Sequence, residues 1–375
     1  MGKRGNGEGS ITRRKDGLYM ARYTVQTATG VKRKAVYAKT RKEVSKKLTA
    51  AMADASKGIT GDGGPKTVGA FLTSWLENSV RGSVRKSTYD RNESLCRVHL
   101  IPALGRKKLQ TLGAADVAGF YRSRLDAGCS AASVHKMHET LHKALKQAVR
   151  WGYMTKNPAD DVDAPRVHTE EVHPLTQEEA RRFLEAVRGD RLEALYVVAL
   201  HTGLRQGELL ALRWEDLDLE AHSLQVRRTV TKDGGKLAVG PTKTAKGRRT
   251  VKLTKDAAAS LRGHLTRQLE EIDVLGDHFQ DQGLVFCTSK GTLINPTNLR
   301  KRSFAPLLVR AGLPHITFHQ LRHTAATILL LKNVNPKIVS EMLGHASIAI
   351  TLDTYSHVLP NMQDSAVAAM EEAFS

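Results

Sequence analysis

The sequence predicts a multidomain α+β protein: a small N-terminal three-stranded sheet plus helix, an all-α middle segment, and a mainly α C-terminal segment with a small β insert. Three observations predict it. Period-two alternation over residues 19–37 gives way, after the Gly-rich linker 61–65, to helical stripes. A break rich in Asn, Pro and Asp at residues 157–165 separates those stripes from a second helical set. Within that second set, the runs 224–231, 236–239 and 248–253, punctuated by Asp233-Gly234-Gly235, read as strands.

Taken in order, Lys15-Asp16-Gly17 and Ala28-Thr29-Gly30 are hairpin-type turns flanking residues 19–25, where Tyr19, Ala21 and Tyr23 alternate against Met20, Arg22 and Thr24. Thr40 with Glu43 forms a capping box, after which Val44, Leu48, Ala51 and Ala55 share one helical face. That helix is expected to cover one side of the sheet, and the other face, with Arg22, Lys32 and Lys34, is expected to enter a groove. Val68, Phe71, Leu72, Trp75 and Leu76 make the first stripe of the middle segment, and further helices are expected over 87–100, 114–127 and 130–151. Thr176 with Glu179 caps the next helix. The boundaries fall at residues 1–60, 61–165 and 166–375.

The charge is graded along these segments. The whole chain of 375 residues has 58 Lys+Arg against 38 Asp+Glu, a net +20. Residues 1–60 hold 15 basic and 4 acidic residues, residues 61–165 hold 16 and 10, and residues 166–375 hold 27 and 24. An even solubilising coat would not be graded, so the first two segments are expected to grip a polyanion, nucleic acid ahead of an anionic membrane. Three cysteines, Cys96, Cys129 and Cys287, are too far apart and too few for a disulfide scaffold or a zinc finger. The apolar runs are much shorter than the roughly 20 residues that span a bilayer, and residues 1–14 lack an apolar signal core. A cytoplasmic protein is expected.

Four stretches of the last segment carry residues suited to phosphate chemistry. In HTGLRQGELLALRW (201–214), Leu204, Leu209, Leu210 and Leu212 can bury themselves while Arg205 sits near a helix start, where a guanidinium can fork two bonds onto a phosphate or simply be solvated. In FHQLRHTAATILLL (318–331), His319 and Arg322 at i, i+3 share one helical face. His319 and His323 at i, i+4 also have zinc-ligand spacing, but no glutamate stands between them and no third ligand is evident, so no metal site is assigned. EMLGHASIAITLDTYSHV (341–358) places His345 ten positions before Tyr355, and TKTAKGRRTVKL (242–253) presents Lys243 at the lip of the stranded insert. His135, His138 and His142 share a helical face with basic neighbours Lys136, Lys143 and Lys146, which reads as a solvated or DNA-facing surface.

Together the four stretches resemble the tyrosine recombinase (phage integrase) family over residues 170–358, and the resemblance extends in architecture and charge to integrases with an N-terminal arm-binding domain. It implies an arm-type DNA-binding domain at 1–60, a helical core-binding domain at 61–165, and a catalytic domain with a C-terminal tail helix at 166–375. It implies a site-specific recombinase that cleaves and rejoins DNA through a 3′-phosphotyrosine, integrating or excising a mobile element without cofactor. Tyr355 is then the nucleophile, and Arg205 and Arg322 clamp the phosphate. Lys243 protonates the leaving 5′-oxygen, with Lys246 and Lys252 as neighbouring alternatives. His319 assists proton transfer at the tyrosine, and His345 donates to the phosphate. Glu208 is either an anchor for these arginines or histidines or a surface glutamate; Arg248 and Arg249 are expected to face DNA backbone. The implied partners are double-stranded DNA with core and arm-type attachment sites, three further copies in a homotetramer on DNA, a DNA-bending host factor and an excisionase, and no membrane. Ala366, Val367, Met370 and Phe374 would form one face of a tail helix capped by Asp364 or Ser365, docking on a neighbouring subunit or on its own domain. A type IB topoisomerase would use similar residues, and a non-cleaving sequence-specific DNA-binding protein would share the charge; the separate basic N-terminal module argues against the first, and the co-occurrence of Arg205, His319, Arg322, His345 and Tyr355 against the second.

Overall fold

The computed structural model describes residues 10–27, 30–56, 66–167, 173–233, 235–242, 245–355, 367 and 370–374. The chain divides into two compact units, Met1–Thr169 and Glu170–Ser375.

The first unit opens with an antiparallel meander of β1 (Ser10–Arg13), β2 (Tyr19–Thr27) and β3 (Gly30–Ala38), followed by α1 (Arg41–Ser56). Alternation decides the apolar face: Ala21 and Ala38 are buried against Val44 and Leu48 of α1, with Tyr19, Tyr23, Val36 and Met52 around them. Thr40 starts α1 as its cap, accepting from the Glu43 amide at 3.2 Å. The helix stripe runs through Val44, Leu48 and Met52, so Met52 takes the place expected of Ala51. The first strand carries no alternation that would have marked it. Register also corrects the basic face, because directly paired residues share a side of the sheet. Lys34 pairs with Tyr23, on the Ala21 side, whereas Arg22 pairs with Ala35 and its neighbour Thr24 with Arg33. Arg22 and Arg33, not Lys34, lie on the side away from α1, and the Lys32 side chain lies outside the described ones.

The rest of this unit is helical: α2 (Val68–Trp75) running into a π turn, α3 (Lys86–Leu95) doing the same, then α4 (Ile101–Leu104), α5 (Ala114–Asp126) and α6 (Ala131–Arg150). The predicted stripe from Val68 to Leu76 is buried throughout, facing the α6 stripe Val134, Met137, Leu141, Leu145 and Ala148. Each fully buried side chain of this size contributes about 1.5–3 kcal/mol, enough collectively to fix helices too short to persist alone. The α6 histidines are half-exposed and partnered: His138 Nδ1 lies 2.8 Å from Tyr121 Oη, His142 Nε2 lies 2.7 Å from the exposed Asp160, and the His135 side chain is 39% exposed.

The second unit begins at α7 (Gln177–Ala186), started by the predicted box of Thr176 and Glu179, then α8 (Glu193–Thr202) and the single turn α9 (Gln206–Leu209). The insert follows as β4 (Leu217–Asp218), β5 (Ser223–Val226), β6 (Arg228–Asp233), β7 (Lys236–Pro241) and β8 (Arg249–Lys252). Its first expected strand is two, interrupted at Arg227. β4, β5 and β8 form one sheet, and β6 and β7 a separate hairpin. Helices α10 (Lys255–Leu275), α11 (Pro296–Leu299), α12 (Ala305–Arg310), α13 (Phe318–Leu331), α14 (Pro336–Leu343) and α15 (Ile348–Tyr355) complete it. Apolar on nearly every side, α8 is the central helix, packed by α10 and α13. Around it Phe183, Tyr196, Phe304 and Phe318 interlock, and the Tyr196 hydroxyl is satisfied by Ser303 Oγ at 2.6 Å. A satellite cluster joins Ala326 and Leu330 of α13, Val339 and Leu343 of α14, and Tyr355 of α15. No helix among the described residues is long and apolar enough to cross a membrane, and all three cysteines are free thiols. In the tail, Val367, Met370 and Phe374 are exposed and residues 370–374 helical, while Asp364, Ser365 and Ala366 lie outside the described residues.

Candidate active site

The end of α8 fixes the first part of the site. Gly203 adopts a left-handed φ of 62°, and a Cβ there would stand 2.6 Å from Leu343 Cδ2, so both backbone and space demand glycine. Two residues on, Arg205 heads α9, whose Leu209 and Leu210, with Leu204 and Leu212, are buried as the sequence indicated. The Arg205 guanidinium donates to Glu208 Oε1 at 2.7 Å and to the Gly344 carbonyl at 3.3 Å. Glu208 is an anchor and not a surface residue: its side chain is 4% exposed, and its other oxygen receives Arg249 Nη2 at 3.0 Å. Burial opposes its charge, but Arg249 and then Arg205 outweigh burial and hold the carboxyl below its ordinary value.

α13 supplies the second part. Its apolar run is driven into the core, and the i, i+3 spacing brings Arg322 into the same pocket as Arg205. Arg322 donates from Nη1 to the Gly203 carbonyl at 2.9 Å, while its buried Nη2 has no hydrogen-bond partner among the described residues. Burial, followed by Arg205, pushes its pKa down to about 9, which still leaves it protonated at neutral pH. A buried guanidinium with an unused donor is poised for an anion. One turn earlier, His319 keeps an edge in solvent. The packing around it and then Arg322 and Arg205 lower its pKa, favouring the neutral ring.

The third part comes from the turn after α14 and from α15. Gly344 has φ 68° and admits Arg249 so closely that a Cβ would lie 2.9 Å from Arg249 Nη1. His345 follows, its Nδ1 sharing a 2.7 Å hydrogen bond with Oγ1 of the buried Thr351. Tyr355 ends α15 with 3% of its surface exposed, and its hydroxyl lies 2.8 Å from Nδ1 of His323. Burial raises the Tyr355 pKa to about 12, with Arg322 pulling the other way. Burial and nearby cations push His323 and His345 down to about 4.

Thus Arg205, His319, Arg322, His345 and Tyr355 are brought together from three separated segments. Lys243 lies outside the described residues. Of its alternatives, Lys246 donates to the Ala346 carbonyl at 2.8 Å, beside His345, whereas Lys252 is tied to Ala221 at 3.2 Å. Arg249 does not face outward as expected: it is 7% exposed and bound to Glu208 and to the Met342 and Gly247 carbonyls. Arg248 remains exposed, on a basic concavity shared with Arg213, Arg227 and Arg228. Sequence reasoning missed His323 as a partner of Tyr355; its spacing from His319 was visible but was weighed only as a zinc pair. No group of three His, Cys, Asp or Glu among the described residues is arranged to hold a metal ion.

Comparison with known proteins gives the family and the fold. The phage integrase family model matches residues 173–362, and the model for the phage integrase N-terminal SAM-like domain matches residues 67–124. A tyrosine recombinase XerC-like protein of Caldanaerobacter subterraneus subsp. tengcongensis is 33% identical, over 91% of this chain and 92% of its own length. The ICEBs1 integrase of Bacillus subtilis is 26% identical over 73% and 75%. Among solved structures, the Tn1549 transposon integrase in complex with a circular intermediate DNA superposes with a TM-score of 0.69 at 24% identity, covering 82% of this chain and 100% of that one. A lambda integrase tetramer bound to a Holliday junction gives 0.58 at 20% identity over 90% and 95%.

Proposed function

This chain belongs to the phage integrase family of tyrosine recombinases and is a site-specific DNA recombinase; from that premise we propose that Tyr355 attacks a DNA phosphodiester, leaving a 3′-phosphotyrosine and a free 5′-hydroxyl. The observation that carries this reading is a buried tyrosine hydroxyl that is hydrogen-bonded to His323 and feels the charge of Arg322, which itself feels that of Arg205 from a distant segment.

In this reading Arg205 and Arg322 take the two non-bridging oxygens, the free Nη2 of Arg322 supplying a donor already paid for by burial. Rigid cations in a water-poor pocket stabilise the charge that builds on the equatorial oxygens. His345, held by Thr351, donates to the same phosphate, and His319 assists the protons moving at the tyrosine. Lys243 protonates the departing 5′-oxygen. Because the phosphotyrosine conserves the energy of the bond it replaces, religation needs no nucleotide.

The graded charge supports assigning residues 1–60 to arm-type sites and 61–165 to core sites, with 166–375 catalytic. The lambda integrase tetramer on a Holliday junction is the precedent for four copies of this chain acting on two duplexes of a mobile element, helped by a bending factor and an excisionase. Tyr355→Phe tests the chemistry, since it keeps the ring in its satellite cluster. The variant is expected to bind a nicked suicide duplex, taken from direct repeats flanking the gene, and to form no covalent adduct. An adduct trapped by that variant would refute the assignment.

A further inference from the structure

Tyr355 Oη and His323 Nδ1 are 2.8 Å apart, their rings 5.6 Å apart between centroids, on helices α15 and α13. His323 is one residue beyond Arg322 and one helical turn beyond His319, whose ring meets it edge-on at 5.0 Å. We propose that His323 is itself a catalytic residue, the general base that takes the Tyr355 proton through Nδ1 as the tyrosine attacks DNA. The proposal rests on Tyr355 being the nucleophile.

The groups that face His323 are His319 and Arg322 from its own helix and His345 and Tyr355 from the segment after α14. Burial, then His319 and Arg322, keep the free imidazole neutral; in its Nε2-protonated tautomer Nδ1 accepts from the tyrosine hydroxyl, and this is the direction the proposal takes. A bound phosphodiester brings a negative charge against Arg322, offsetting the cation that disfavours His323 protonation. The base is therefore strengthened by the arrival of its substrate. In the step itself the Oη–P bond forms as the Oη–H bond breaks, with the proton passing to Nδ1. The P–O5′ bond breaks with its electron pair going to the 5′-oxygen, which is protonated by the acid assigned above. Religation runs the same transfers backwards. His319, which the sequence suggested for the tyrosine proton, touches the ring of the base and has no hydrogen bond to the tyrosine in this structure.

The experiment follows covalent adduct formation by the full-length chain on the nicked duplex from the flanking repeats between pH 5 and 9, with duplex binding measured in parallel. His323→Gln keeps an acceptor for the tyrosine hydroxyl but cannot carry its proton; His323→Ala opens a space for added imidazole. Both are expected to slow adduct formation by about 10²–10⁴-fold, the range of a general base, with binding unchanged. Both rates should climb with pH where the wild-type rate is flat, and imidazole should restore part of the His323→Ala rate. Should His323→Ala fail to fold, His323→Gln decides alone. Adduct formation by His323→Gln within a few-fold of wild type, or an unchanged pH profile in a slowed variant, would overturn the proposal and leave His323 a positioning residue at most. If instead the wild type forms no adduct, or Tyr355→Phe forms one, the tyrosine assignment fails and the proposal falls with it.

Discussion

Glu208 and Arg249 form an ion pair 3.0 Å long in which both side chains are almost wholly withdrawn from solvent, 4% and 7% exposed. The carboxylate has a second obligation, since its other oxygen holds Arg205. Removing one partner of a buried pair leaves an uncompensated charge and costs about 3–5 kcal/mol. Glu208→Ala is therefore expected to lose stability of that order in urea unfolding and to lose cleavage as Arg205 comes adrift. The double variant Glu208→Ala, Arg249→Leu should recover much of the stability and none of the cleavage, which separates the two jobs of the glutamate.

Gly203 makes a sharper local test. An alanine there meets a left-handed backbone, worth roughly 1–2 kcal/mol, and a contact with Leu343 Cδ2 that overpacking would raise by about 1–3 kcal/mol more. Its carbonyl also receives Arg322. Gly203→Ala should thus lower both stability and the cleavage rate, whereas Gly235→Ala, with φ 82° but nothing within 4 Å, should show only the backbone cost. Chemical denaturation of the two variants side by side checks this.

Acid should weaken the fold through its half-buried histidines. His323 and His345 are held near 4 against an ordinary 6.5, so between those values the unfolded chain binds protons that the folded chain refuses. Stability then rises with pH across that window, is complete above about 6.5 and is lost as pH falls towards 4. Both rings are partly solvated, which limits each contribution to about 1 kcal/mol. Between pH 7 and pH 4 the wild type should lose more melting temperature than His345→Gln, if the histidine is responsible.

The leaving group offers the check on Lys243. Lys243→Ala should slow cleavage of an ordinary phosphodiester by about 10²–10⁴-fold, and a duplex with a 5′-thio leaving group, which departs without a proton, should be cleaved at near wild-type speed. Failure of that rescue would transfer the role to a neighbour, with Lys246, already beside Ala346, the next to replace.

Much of this was legible beforehand because local chemistry decides it. The Thr40 and Thr176 caps, the stripe from Val68 to Leu76 and the burial of Leu209 and Leu210 beneath Arg205 all follow from spacing alone. What escaped depends on partners far along the chain. Arg249 reads as one more cation of a basic run until Glu208, 41 residues earlier, is folded against it. His323 gains meaning only when α15 places Tyr355 opposite α13. Lys34 was assigned to the wrong side because the phase between β2 and β3 is set by their pairing, which neither strand's own alternation contains.

The bond from His345 to Thr351 ties the turn before α15 to the middle of that helix, whose last residue is Tyr355. The proposed nucleophile and the proposed phosphate donor are consequently tied to one helix. A displacement that carries α15 outward cannot retire the tyrosine alone; it must either drag His345 with it or sever that bond, and it strips Leu343 and Val339 of a packing partner at the same time. On the roles proposed above, a subunit with its last helix withdrawn would lose nucleophile and phosphate donor together, and with them the means to nick DNA it could not reseal.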